Sequence, residues 1–448
     1  MPANLEPSDM KADRIQLFSF KTPAMRAFHV SWVAFFLCFF GWFGVAPLMP
    51  VIRSEFHLTK AQIGNIVIAS VAVTVLARLF VGWMCDRFGP RRVYAGLLVL
   101  GALPVMGIGL AHDYTSFLIF RLAIGAVGAS FVVTQYHTCA MFAPNVVGTA
   151  NATAAGWGNL GGGVTQMVMP LVMAGFVSLG LPQSSAWRAA MVVPGVLMLL
   201  AAVAYLTLTQ DGPEGNRSGA VPAKQASGAF FKAFSDPRTW VLGLAYGACF
   251  GVELTVHNVA ALYFHDKFGL GLQAAGLVAG SFGLLAIFAR ALGGITGDRV
   301  GSRFGLRGRV VTLATVLGAE GLLLVLFSRM SYLPLAVATL VLFGLFVHMS
   351  AGATYAVTPF VKRDAVGAVA GIVGAGGNVG AVLAGFLFRS DGFPPESAFL
   401  VLGIAVLAAS GLVYTVRFKS EDEAAARSEA SPAEAATALG SSPIAAAE

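Results

Sequence analysis

Long apolar runs alternate with short polar breaks along the whole chain. A helix needs about 20 apolar residues to cross the hydrocarbon core of a bilayer. Runs of that kind fall at 28–52, 61–84, 93–111, 116–141, 147–180, 187–208, 239–264, 273–297, 309–328, 332–358, 365–388 and 397–417. The pattern predicts an all-α integral membrane protein with twelve transmembrane helices. Short segments of alternating polarity, the mark of a membrane β-barrel, do not occur. The widest break, 209–238, is rich in Gly, Pro, Ser and charge and predicts a linker. It divides the chain into two six-helix halves, 28–208 and 239–417. Residues 1–27 are polar and mixed in charge. The apolar run that follows is too long for a signal peptide and has no cleavage site. The tail after Lys419 is mainly Ala, Glu, Ser and Pro without an apolar face, and the segment 418–448 is expected to be disordered.

Composition adds direction to this picture. The chain is 57% hydrophobic and 11% charged, against about 25% charged in soluble domains. Its net charge of +7 sits in loops and does not suggest nucleic acid. One side holds Arg87, Arg91 and Arg92, then Arg217, Lys224, Lys232 and Arg238, then Arg299, Arg303, Arg307 and Arg309, then Lys362 and Arg363. The other holds only Arg53, Lys60, Arg188, Lys267, Arg329 and Arg389. The positive-inside rule places both termini in the cytoplasm. The four cysteines are scattered, with no CxxC pair. Apolar packing is expected of them, with no disulfide, metal site or cofactor.

Two motifs occur twice, in the same order. Ala154-Ala155-Gly156-Trp157-Gly158-Asn159-Leu160-Gly161-Gly162-Gly163 is answered by Gly374-Ala375-Gly376-Gly377-Asn378-Val379-Gly380. Ala77 to Gly89, with Arg78 and Asp86-Arg87, is answered by Ala289 to Gly301, with Arg290 and Asp298-Arg299. The halves are therefore pseudo-symmetric repeats, as in many secondary carriers. Each glycine would cost a soluble helix roughly 1 kcal/mol relative to alanine. In a membrane, glycines let backbones approach closely.

Gly82-Trp83-Met84-Cys85-Asp86-Arg87-Phe88-Gly89-Pro90-Arg91-Arg92 resembles the cytoplasmic loop signature of the major facilitator superfamily, and Arg121-Leu122-Ala123-Ile124-Gly125 its fourth-helix motif. The paired Gly/Asn stretches resemble the signatures of its nitrate/nitrite porter family. Gly247 to Thr255, in the seventh span, is similar to the plant and fungal high-affinity nitrate carrier branch. The resemblance covers about 28 to 417. It implies the major facilitator fold and a carrier rather than an enzyme, with nitrate, and nitrite too, as substrates.

Arg78 and Arg290 sit in apolar spans, where a central charge costs about 2.5–3.5 kcal/mol. They either pair with a nearby carboxylate or snorkel to the cytoplasm, or they face a midplane cavity and clamp a small planar anion. The fork of a guanidinium suits nitrate's oxygens, and the resemblance implies that role. Asn159 and Asn378 either bond helix to helix or meet the anion or the arginines. Gly148, Ala152 and Gly156, like Gly367, Gly371 and Ala375, form a packing and sliding face. Gly158, Gly161, Gly377 and Gly380 belong to the same structural set. Glu253 and His257, four apart, share one face of the seventh span. They are either a structural polar pair or the proton-coupling site. Glu320 and His348 read as polar packing. Phe131 either packs in the core or walls the anion site. Asp86, Arg87, Arg91, Arg92, Asp298, Arg299 and Arg303 are expected to form gating contacts between the halves that hold the outward-open state.

These readings lead to a monomeric carrier in the cytoplasmic membrane that moves nitrate by alternating access, with two repelling arginines closing only around an anion. Proton-coupled uptake is preferred. Nitrate/nitrite exchange, carriage of another small anion, and a receptor that binds nitrate without moving it are the alternatives.

Overall fold

The computed structural model describes residues 11–216, 227–390, 392–420 and 422–423. The rest of the linker, 217–226, and of the tail, 424–448, lie outside the described residues, as do Arg217, Lys224 and the disorder expected of that tail. Helices account for all twelve expected spans. They run Pro23–Phe56, Lys60–Phe88, Pro90–Leu110, Tyr114–Met141, Pro144–Ser178 and Gln183–Leu208 in the first half. The second half has Pro237–Phe268, a helical run Leu272–Ser328, Leu333–Phe360, Val366–Arg389 and Pro395–Val413. The long run holds two spans. Gly305 breaks it with φ 67° and ψ −160°, a conformation that costs glycine little and other residues much. Glu423 caps the restart, accepting from the Leu306 N–H at 2.8 Å and the Arg307 N–H at 3.2 Å. Spans 8 and 9 are thus 272–304 and 306–328.

Several span ends differ from the sequence reading by a few residues. The first helix starts at Pro23, capped by Thr22, rather than at 28. The 209–238 break contains a helix, Ser227–Phe234, with Phe230, Phe231 and Phe234 exposed. Its few turns are too short to register as a span. The tail is ordered at its start, where Asp422 pairs with Arg238 at 3.4 Å and Phe418 lies under the Arg238 guanidinium.

Two helix pairs join the halves. Span 2 packs on span 11, and span 5 on span 8. The arginine helix of each half therefore lies on the Gly/Asn helix of the other. At the end away from the termini the halves are locked. Arg53 of span 1 forks onto Asp266 of span 7 at 2.5 and 2.7 Å. Lys60 donates to the Phe393 carbonyl. Deeper in, Arg121 donates to Asn258 Oδ1 at 2.9 Å and to the Trp42 carbonyl at 2.7 Å, so a buried cation of the fourth-helix motif spans the two halves. At the terminal end, by contrast, a Cβ placed at Gly148, Gly367 or Gly371 would meet nothing within 4 Å among the described residues.

The signature glycines serve two surfaces. Gly158 and Gly161 press on Phe35 and the Phe36 carbonyl of span 1, and Gly377 and Gly380 on Phe250 and the Gly247 carbonyl of span 7. These contacts hold each half together and are not sliding contacts between halves. Gly156, Gly162, Gly163 and Gly374 of the signature stretches face the other half, and a Cβ at Gly156 would lie 2.8 Å from the Ala286 carbonyl. Overpacking a tight contact costs about 1–3 kcal/mol. Gly380→Val should therefore lower the thermal unfolding temperature of the detergent-extracted protein, while Gly371→Val should leave it unchanged. Equal shifts in the two variants would contradict this packing.

Candidate functional site

The arginines of the two repeats are buried near the middle of their spans, Arg78 at 8% exposure and Arg290 at 4%. Both stack on one ring. The Arg78 guanidinium carbon is 5.8 Å from the Phe250 centroid and that of Arg290 is 5.6 Å from it. Arg78 is also 5.4 Å from the Phe131 ring. Cation–π contacts of this kind favour a guanidinium by about 0.5–2 kcal/mol, a partial return on the cost of burial.

Each arginine reaches across to the other half. Arg78 Nη1 donates to the Gly374 carbonyl of span 11 at 2.8 Å, and Asn378 Nδ2 shares that carbonyl at 3.4 Å. The Asn159 amide is oriented by its neighbours so that its oxygen accepts from Arg290 Nη2 at 2.8 Å and Nη1 at 3.0 Å. The repeats are thus cross-paired, Arg with Gly/Asn, through equivalent helices.

Their charge environments are not equivalent. Arg290 Nη2 also donates to Glu253 Oε2 at 2.7 Å, an ion pair at 5% and 0% side-chain exposure. Among the described residues no carboxylate pairs with Arg78, whose Nε and Nη2 are buried without hydrogen-bond partners. The expectation of two repelling arginines is corrected here. Glu253 neutralises one of them, and the two arginines with Glu253 carry a net single positive charge.

Glu253 differs from expectation in its second neighbour too. Its oxygen lies 3.5 Å from His348 Nδ1 of span 10. His257 is directed elsewhere, between Gly162 of span 5 and Gly283 of span 8, against the rings of Phe43 and Phe282. Among the described residues neither ring nitrogen has a hydrogen-bond partner. The shared helix face brings the two residues to the same side, and tertiary packing then separates their contacts. Tyr246 and Tyr355 complete the site. Their rings meet edge to face at 5.2 Å, and a Cβ at position 374 would lie 3.4 Å from both Tyr355 Oη and Arg78 Nη1. Sequence reasoning missed Phe250, Tyr246 and Tyr355 among the many aromatics. The closeness of Phe250 and Tyr246 to Glu253 on span 7 was the available signal.

A cleft of about 1080 Å³ runs from Arg78 between span 2 and spans 7 and 11, past Gly367 and Gly371. Its walls are mainly apolar, Asp86 also lines it, and Arg290 does not. The charged loop residues keep to their own halves in the contacts described. Arg91 bonds the Leu206 carbonyl and the Asp211 carboxylate, Arg87 stacks on Trp83 and Phe88, and Asp298 pairs with Arg309. The contacts between halves expected of Arg91 and Asp298 belong to the outward-open state; here these side chains bond within their own halves.

The model of the Major Facilitator Superfamily matches residues 31–319 and 259–446. "High affinity nitrate transporter 2.5" of Arabidopsis thaliana is 41% identical over 409 residues, covering 90% of this chain and 82% of the relative. "Nitrate transporter 2.1" of Chlamydomonas reinhardtii is 40% identical, covering 84% and 70%. "Nitrate/nitrite transporter NrtP" of Nostoc punctiforme is 28% identical, covering 88% and 92%. In fold, the chain is similar to an inward-facing, occupied structure of a bacterial homologue of the human lysosomal transporter Spinster, with TM-score 0.67, 16% identity and coverage of 88% and 97%. Together with the duplicated six-helix halves and the cross-paired arginines, these likenesses decide the matter: the chain belongs to the Major Facilitator Superfamily, within the family that includes these nitrate transporters.

Proposed function

We propose that this protein carries nitrate, and nitrite as well, across the cytoplasmic membrane by alternating access, with uptake coupled to protons. The observation that carries the reading is the unequal pair of arginines on one ring. A site with net charge +1 is made neutral by one monovalent anion. The relatives' names supply the identity of that anion. Two planar forks from opposite halves suit a planar ligand with three acceptor oxygens.

The anion also gives the halves a reason to close. Without it, Arg78 is a buried cation lacking a counter-charge, which is costly in a membrane interior. With it, the forks of both halves share one ligand. The locked outer end and the unpacked stripe at the terminal end correspond to a state open to the cytoplasm.

Glu253 supplies the coupling. Nitrate and the Glu253 carboxylate compete for the Arg290 fork. If nitrate takes the fork while Glu253 stays charged, a bare carboxylate is left buried. A proton on Glu253 removes that obstacle, so the proton and the anion bind together. Exchange of nitrate for nitrite is the second reading, favoured by the fact that an anion alone neutralises Arg78.

Labelled nitrate flux and internal pH, measured together in proteoliposomes, test both. The expected result is nitrate uptake with lumenal acidification, abolished by an uncoupler. Nitrite counterflow that survives collapse of the proton gradient, with no acidification, would move the conclusion to exchange. Binding without flux would remove transport altogether.

A further inference from the structure

Besides Arg78 and Arg290, Arg121 of span 4 is buried inside the membrane, at 1% exposure. Among the described residues no carboxylate pairs with it, and its Nε has no hydrogen-bond partner. Local structure explains one of its bonds. The first helix stops at Trp42 and resumes as a 3-10 turn at Ala46. There the Ala46 N–H bonds the Phe43 carbonyl, which leaves the Trp42 carbonyl without its helical donor. Arg121 Nη1 takes that place at 2.7 Å. The indole of Trp42 donates in turn to the Ser70 carbonyl of span 2 at 2.6 Å. Spans 1, 2 and 4 of the first half thereby hold one guanidinium in place.

What this cradle meets comes from the other half. Asn258 Oδ1 of span 7 accepts from Arg121 Nη2 at 2.9 Å and from the Ser70 hydroxyl at 3.3 Å. Its Nδ2 donates to the Leu254 carbonyl at 2.9 Å, which orients the amide with its oxygen toward the first half. One residue back, the His257 carbonyl accepts from Gln166 of span 5 at 2.7 Å. Asn258 stands eight residues outward of Phe250, and Ser70 eight outward of Arg78, about 12 Å at the helical rise. The Arg121–Asn258 bond therefore joins the halves just outside the clamp. Arg53 and Asp266 also join them, but at 32% and 42% side-chain exposure, where water weakens an ion pair. Arg121 is out of water, where a hydrogen bond from a charged donor is strong.

We propose that Arg121 and Asn258 form the outer gate of the carrier, and that parting them admits the anion from outside. The neutral acceptor makes the gate reversible. A cation without a counter-charge is costly while buried. It regains water when the halves separate, which offsets the lost bond. A carboxylate in place of the Asn258 amide would hold the cation too firmly to release it. An apolar side chain there would hold nothing. The inference rests on the alternating-access reading above.

Hydrogen exchange on the full chain in detergent, without nitrate, tests the gate. Asn258→Leu keeps the shape of the side chain and removes the acceptor. Amides in the outer segments 43–56 and 256–268 should then exchange roughly five-fold faster than in wild type, while those in the cytoplasmic segments 146–154 and 366–374 slow down. Faster exchange at both ends would mean general loosening and would overturn the gate, as would an unchanged pattern. Asn258→Asp is the independent arm, and it decides should the leucine variant fail to fold. It should lower nitrate/nitrate counterflow in proteoliposomes roughly ten-fold or more, with thermal stability no lower than wild type, because the new carboxylate meets a buried cation. Counterflow at the wild-type rate, or counterflow and stability lost together, would refute the assignment while leaving the transport reading intact. Wild-type vesicles that move no nitrate would strike the transport reading and the gate with it.

Discussion

Arg290→Lys is expected to reduce nitrate flux in proteoliposomes roughly a hundred-fold or more, although the charge is kept. The guanidinium reaches Glu253 and Asn159 at once, using both terminal nitrogens on the amide oxygen. An ammonium is a point charge and cannot present that fork. Each charge-assisted hydrogen bond is worth about 1.5–3 kcal/mol, and about 1.4 kcal/mol is a factor of ten, so losing two gives the stated fall. Arg78→Lys should fail comparably, since it forfeits the reach to the Gly374 carbonyl of the opposite half and the stacking on Phe131 and Phe250. Unchanged nitrate affinity in either variant, measured by nitrate-dependent thermal stabilisation, would rule out the shared clamp.

Glu253→Gln should separate the two things the carrier does. Removing one partner of a buried ion pair costs about 3–5 kcal/mol, because Arg290 is left uncompensated. The variant should therefore be less stable than wild type in the absence of anion. Nitrate replaces the missing charge and should recover most of the loss, giving a larger nitrate-induced thermal shift than in wild type. Proton-driven accumulation should disappear while counterflow persists. A variant that loses counterflow and accumulation to the same degree would show that Glu253 maintains the site without coupling it.

These two expectations draw on different depths of legibility. Arg78, Arg290, Asn159 and Asn378 stand out in the sequence because duplication repeats them on matching helices. Charged residues inside apolar spans have few reasons to be there. Their cross-pairing was not readable, since it depends on span 2 meeting span 11 and span 5 meeting span 8. Glu253 was visible and its partner was not. Helical spacing pointed to His257, four residues on, whereas Arg290 and His348 arrive from other spans. The asymmetry of the site is a tertiary fact, and it changed two free cations into one. The linker helix escaped because eight residues give too little periodicity to see. Gly305 escaped because a single glycine among 53 carries no mark of its backbone angle.

The unfilled space beside Gly148, Gly367 and Gly371 bears on how tolerance to mutation is scored in this protein. Among the described residues nothing lies within 4 Å of a Cβ at these positions, so small side chains there should leave folding yield and heat resistance unchanged. In the proposed transport cycle the size limit would be set by the conformation in which the terminal end shuts, reached only during turnover. A saturation library ranked by expression should find these three positions permissive, and the same library ranked by growth on nitrate should find them intolerant. The difference between the two maps would outline the closing surface without a second structure.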